Sequence, residues 1–200
     1  MLASRESFRL SISYKKYRRV NMSVLVISGS GRDQSVSSVV GNWISSEFGF
    51  KHFNLSKNKL PVFDGSELTT ESQNVQLMLT EMKKAEAIIM IAPEYHGAIS
   101  GALKNALDYT NNDIFEEKPV LLLAVAGGGK GGINALNNLR TILRALYADV
   151  SPRQFVVDSD ALDEPKLSEN LFDCINGFLL KKSIFDRREV SDYTLSGGEL

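Results

Sequence analysis

Cysteine is nearly absent from this chain: among 200 residues there is one, Cys174. A lone cysteine closes no intramolecular disulfide and builds no thiolate metal cluster, and its use fits a reducing, cytosolic setting. Long apolar runs are missing too, since none approaches the roughly 18 residues that a membrane-spanning helix needs. An overall basic balance is lacking: the net charge is −1. That charge is uneven, with Arg5, Arg9, Lys15, Lys16, Arg18 and Arg19 against Glu6 giving +5 in residues 1–20 and −6 beyond them. A mildly acidic body does not offer the basic face of a nucleic-acid-binding protein. No internal repeat, low-complexity run or inter-domain linker interrupts the sequence.

What remains is ordinary for a globular protein, 43% hydrophobic and 24% charged residues, enough for one domain with a full core. The expected organisation is a basic, disordered leader over 1–21, one domain over 22–183 and a polar tail over 184–200. The leader is Ser- and Arg-containing and nearly free of acid. A short tail or an upstream extension before Met22 is favoured for it over a targeting segment, because no apolar signal region or small-residue cleavage site is visible.

Apolar runs and helical periods alternate through the body. Val24–Ile27, His52–Leu55, Ala87–Ala92, Val120–Ala126 and Gln154–Val157 read as strands. Helices are expected from Val36 to Phe48, around Val75–Met82, over Gly101–Tyr109, over Ile133–Tyr147 and over Leu167–Lys181. Strict alternation of this kind gives a doubly wound parallel sheet with right-handed crossovers. For five strands the expected order is 2-1-3-4-5, the flavodoxin-like arrangement.

Three expected loops at strand C-termini are rich in ligand-binding groups. Gly29-Ser30-Gly31-Arg32-Asp33-Gln34-Ser35-Val36-Ser37 joins the first strand to the first helix, so its amides and the helix N-terminus converge on one anion site. Hydroxyls of Ser30, Ser35 and Ser37 and the Arg32 guanidinium add donors; the plainer reading is a Ser35 helix cap beside an exposed arginine. A dinucleotide fingerprint fails here, for want of a third glycine and of an acid near Asn54 and Lys57. A triphosphate loop fails as well, because Gly129-Lys130 is followed by Gly131. A monophosphate fits best. The second loop, Pro93 to Ser100, offers backbone amides to a flat polar ring edge, with Tyr95 and His96 at its border; His96 also reads as a solvated loop residue and Glu94 as a helix-capping acid. The third, Gly127 to Gly132, has five glycines in six positions, which lets backbone approach a planar ligand closely.

Gly29-Ser30-x-Arg32-x-x-Ser35-x-Ser37, then Pro93-Glu94-Tyr95-His96 with Gly101-Ala102-Leu103-Lys104-Asn105-Ala106-Leu107-Asp108, and the Gly127–Arg140 segment together resemble the NADPH-dependent FMN reductases. Ala124 to Asn138 is especially similar to the bacterial FMN-dependent azobenzene reductases. The resemblance spans about Met22 to Leu179; Ser37 stands where many members have Asn. It implies an FMN whose phosphate is held by Ser30, Arg32, Ser35 and Ser37, whose isoalloxazine meets Pro93, Glu94, Tyr95, His96 and Gly97, and whose other edge is covered by Gly127 and Gly128. It implies NADPH or NADH as reductant, ping-pong delivery of two electrons to an azo compound, a quinone or a free flavin, no metal, no catalytic side chain beyond the flavin, and a cytoplasmic homodimer or homotetramer. A quinone or metal-ion reductase on the same scaffold is the nearest alternative. A flavodoxin-like electron carrier is another, against which Arg32 and the modest acidity of the body speak.

Overall fold

Val24–Ser28 (β1), sequence VLVIS, is buried at every position, as a strand covered on both faces must be. The computed structural model describes residues 22–127, 131–162 and 166–180. The leader over 1–21 and the tail over 184–200 lie outside them, as do Gly128, Gly129 and Lys130. Val36–Phe48 (α1) follows β1, and Gly49 stops it in the left-handed region at φ 71°. Next come Lys51–Asn54 (β2), Glu67–Thr70 (α2) and Gln73–Lys84 (α3), then Ala87–Tyr95 (β3), Ala98–Ile99 (β4) and Gly101–Asp108 (α4). Asn112–Phe115 (α5), Pro119–Ala126 (β5), Ile133–Ala145 (α6) and Asp149–Asp158 (β6) complete the alternation. Residues 166–180 form a last helix (α7).

The sheet order is β2-β1-β3-β5-β6, with β4 paired to β3. All long strands run parallel. Leaving β4 aside, this is the flavodoxin-like 2-1-3-4-5 order the alternation predicts. Side-chain alternation divides the core into two layers. Leu25 and Ile27 face one layer with α3, α4, α5 and α6, around Met78, Leu103, Phe115 and Leu136. Val24 and Val26 face the other with α1 and α7, around Trp43, Ile44, Ile175 and Phe178. Cys174 is buried in that second layer. Burial pushes its thiol pKa up, partly opposed by the Arg153 charge. Among the described residues no helix is long and apolar enough to cross a membrane.

The structure corrects several sequence expectations. The segment after Ala92 is not a loop: β3 continues to Tyr95 and folds back through β4, with Glu94 opposite Ile99 and Tyr95 opposite Ala98. The last strand begins at Asp149, before Gln154, because β6 passes a pairing irregularity opposite Val120–Leu122. Pro152 sits at that irregularity on an edge strand, where a missing N–H is tolerated. α2 and α5, of 4 residues each, are too short to show a helical period.

Candidate functional site

The C-terminal ends of β1, β3 and β5 carry the three candidate loops to one edge of the sheet, where open α/β sheets receive ligands. The first loop is held from below. Gly29 N donates to Ile91 O at 2.8 Å, and Ser100 Oγ donates to Gly29 O. Ser100 also caps α4, accepting from Leu103 N at 3.0 Å. The close approach requires glycine, since a Cβ on Gly29 would stand 2.7 Å from Leu103 Cδ2.

Ser30 is fully buried. Its Oγ accepts from Arg32 N at 3.1 Å and shares a 3.0 Å hydrogen bond with Tyr95 OH. The first loop and the β3–β4 hairpin are thereby linked directly. Arg32, Asp33 and Gln34 are exposed, and Gln34 takes φ 52°. Ser35 is the N-cap of α1, its side chain accepting from Ser38 N. Val36 and Ser37, the first helical residues, have no carbonyl a turn below to bond, which leaves their amides available at the helix N-terminus.

The serine hydroxyls form a directed chain. Asn54 Oδ1 accepts from Ser56 N at 2.9 Å and Ser56 Oγ at 2.8 Å. It also accepts from Ser38 Oγ at 3.2 Å. A hydroxyl has one proton, so in the 2.8 Å Ser35–Ser38 contact Ser35 donates, and in the 3.1 Å Ser35–Ser37 contact Ser37 donates. Ser37, the first donor of the chain, can therefore turn its proton to a ligand without breaking any link beyond its own; Ser35 cannot.

Beneath the loop, His52 bridges two elements. Its Nδ1 lies 3.0 Å from Asn42 Oδ1 and its Nε2 3.0 Å from Ser28 Oγ. Gly41 makes the seat: a Cβ there would stand 2.4 Å from His52 Nε2. Burial lowers the His52 pKa from its ordinary value, and the neutral ring donates to Asn42 and accepts from Ser28.

In the hairpin, His96 and Gly97 take φ 52° and 77°, the two left-handed positions of a type I′ turn. Both are exposed at the tip, while Pro93 is buried at the base, in register with Val125. Glu94 reaches the start of α6: Ala135 N donates to its Oε2 at 3.1 Å and Asn134 Nδ2 to its Oε1 at 3.3 Å. Glu94 is thus a helix-capping acid, and the helix it caps is α6. In the third loop Gly127 is exposed, and a Cβ on it would lie 2.7 Å from Ser159 Oγ. Gly128 lies outside the described residues.

Ser30, Ser35, Ser37, Pro93, Glu94, Tyr95, His96 and Gly127 all fall at this sheet edge, with Arg32 at the tip of the first loop. Sequence reasoning missed Ser38, Asn54 and Ser100. Ser100 had a readable signal, a serine immediately before a helical period; Asn54 had only its place at the end of β2.

Hydroxyls and an arginine around a helix N-terminus whose first turn holds no acid suit a phosphate monoester, and glycines at both neighbouring turns suit a flat group. A flavodoxin-like domain with a site for a phosphorylated planar ligand is the class that fold and loops define. The chain belongs to the NADPH-dependent FMN reductase family, whose sequence pattern it matches over residues 22–162. It is 41% identical over 149 residues to an NADPH azoreductase of Bacillus sp. strain OY1-2, covering 74% of this chain and 84% of that one. It is 34% identical over 152 residues to an FMN-dependent NADPH-azoreductase of Staphylococcus aureus, covering 70% and 79%. In fold it resembles the flavoenzyme FerB of Paracoccus denitrificans, with a TM-score of 0.67 at 19% identity over 79% of this chain and 95% of that one. The expectation of an FMN-containing reductase driven by a nicotinamide cofactor is met by this family membership.

Proposed function

We propose that this protein is an azoreductase-type enzyme that passes two electrons from NADPH to small planar acceptors such as azo compounds, quinones or free flavins. The observation that carries the reading is the serine-lined N-terminus of α1, tied through Ser30 and Tyr95 to a hairpin at the same sheet edge. In this reading Ser30, Arg32 and Ser37, with the Val36 and Ser37 amides, hold the FMN phosphate. Ser35 caps α1 and gives its proton inward to Ser38. Pro93, Tyr95, His96 and Gly97 line one side of the ring, with Tyr95 fixed by Ser30, and Gly127 and Gly128 line the other.

When bound, FMN supplies the redox chemistry, taking a hydride from the reduced nicotinamide and giving two electrons to the acceptor. The chain contributes position: fixed backbone donors need no reorganisation as charge develops on the ring edge. Reductant and acceptor use one opening in turn, so the kinetics are ping-pong. The working form is a cytoplasmic homodimer or homotetramer. Supporting an assembly, Val62 and Leu68 are 80% and 85% exposed, apolar surface that a second copy would cover.

The test is direct. The purified protein should be yellow with about one FMN per chain, and NADPH should bleach it. Steady-state rates with a small azobenzene should give parallel double-reciprocal lines at several dye concentrations. Intersecting lines would end the shared-opening reading, and bleaching without dye turnover would leave an electron carrier.

A further inference from the structure

The helix α6 begins without a cap of its own. Its N-cap residue is Gly132, which has no side chain to offer, and no side-chain hydrogen bond is made there. Gly132 cannot be exchanged for a serine or aspartate, because a Cβ would lie 2.4 Å from the Ala124 side chain. First-turn amides of a helix need an acceptor, and a carboxylate at that end also meets the positive pole of the helix. The acceptor comes from another element, as the Glu94 carboxylate of β3 takes both the Ala135 amide and the Asn134 side chain.

We infer that Glu94 is a positioning residue that fixes the α6 end of the glycine-rich loop against the β3–β4 hairpin, and that its carboxylate does not touch the flavin ring. The inference rests on the reading of this cleft as the flavin site. Both carboxylate oxygens are engaged away from the hairpin tip, and Glu94 sits opposite Ile99 at the hairpin's base. One side chain therefore sets the spacing of two loops that bracket the same ligand. Ser30 and Tyr95 set the other spacing, between hairpin and first loop. Without Glu94, α6 would have to order its first turn when ligand binds, and that ordering would be subtracted from affinity.

The experiment uses the full chain as wild type, Glu94→Gln and Glu94→Ala, stripped of flavin and titrated with FMN and with riboflavin. Hydrogen exchange at the Ala135 amide is measured without flavin. Glutamine keeps a carbonyl for Ala135 N–H, and Asn134 can turn its amide to meet the new NH2, so Glu94→Gln should match wild type in both affinities and in exchange. Glu94→Ala should raise both dissociation constants together by about fivefold, because the anchor acts on the ring bracket and not on the phosphate. Its Ala135 amide should exchange at least about tenfold faster. Wild-type affinity and exchange in Glu94→Ala would overturn the inference. So would a Glu94→Gln variant that loses affinity while Ala135 stays protected, since the carboxylate would then act on the ring itself. Wild type that binds neither flavin would instead overturn the proposed function, and exchange at Ala135 would still decide whether Glu94 holds α6.

Discussion

Gly29→Ala tests whether the first loop is seated by contact or merely lies over the sheet. Gly29 is buried, donates to Ile91 O at 2.8 Å and accepts from Ser100 Oγ. An added Cβ would meet Leu103 Cδ2 at 2.7 Å, Leu103 Cβ at 3.0 Å and Ile91 O at 3.0 Å. Leu103 is 1% exposed and has no room to retreat, and Ile91 O belongs to the central strand. The loop itself must therefore move. Overpacking of a well-filled core costs about 1–3 kcal/mol, and for a domain of this size each kcal/mol lowers Tm by about 2–4 °C.

Thermal unfolding of the flavin-free protein should then show a Tm lower by about 2–12 °C. FMN titration should show affinity reduced by about tenfold or more, because Ser30 rides on the displaced residue and loses its place beside Tyr95. Riboflavin, which lacks the phosphate, should lose less. A variant with the parental Tm would refute the contact argument. A lower Tm with parental FMN affinity would show that Ser30 is not in the site.

The hydroxyl chain predicts a split between two neighbours: Ser37→Ala should weaken FMN and leave riboflavin unchanged, whereas Ser35→Ala should cost about 1 kcal/mol of stability as a lost cap with the FMN-to-riboflavin ratio kept. Equal ratios in both variants would refute the assigned proton directions. The folded pKa of His52 lies below its ordinary 6.5, so the unfolded chain binds its proton more readily and stability is lost as pH falls below that value toward the folded one. Denaturant titrations between about pH 7 and 5 should show this loss in the wild type and a flatter profile in His52→Gln; equal slopes would refute it. Tyr147, just past the Leu146 C-cap of α6, takes φ 62° with its side chain 66% exposed, so Tyr147→Gly should stabilise by about 0.5–1 kcal/mol in thermal unfolding, and a lower Tm would show that the ring has a contact worth more than the strain.

The fold was legible where burial is complete. β1, β3 and β5 are central strands, and nearly every residue of their apolar runs is covered. β6 has one open edge, so exposed Pro152, Arg153 and Gln154 broke the apolar signal and hid its first half. β4 has 2 residues and could not announce itself. For the site, each loop could be placed because a strand ends before it and a helix begins after it. The contacts that join the loops could not be read. Ser30 and Tyr95 are 65 residues apart, Glu94 and Asn134 are 40 apart, and Ser38 and Asn54 are 16 apart. Each residue carries an ordinary local explanation as cap, loop acid or turn residue, and only the folded register shows the partner.

Two of those contacts, Ser30 with Tyr95 and Asn134 with Glu94, converge on one strand. β3 pairs with β1 only as far as Ile91 opposite Ser28, yet it continues to Tyr95. The extension carries Glu94 toward α6 and Tyr95 toward Ser30, and the chain that returns from it supplies Ser100 to Gly29. The first loop is thus fastened to β3 and its hairpin, and the start of α6 is fastened to the same strand. The left-handed turn at His96 and Gly97 brings Tyr95 and Ala98 into register, and that register sets where Tyr95 meets Ser30 and where Glu94 meets α6.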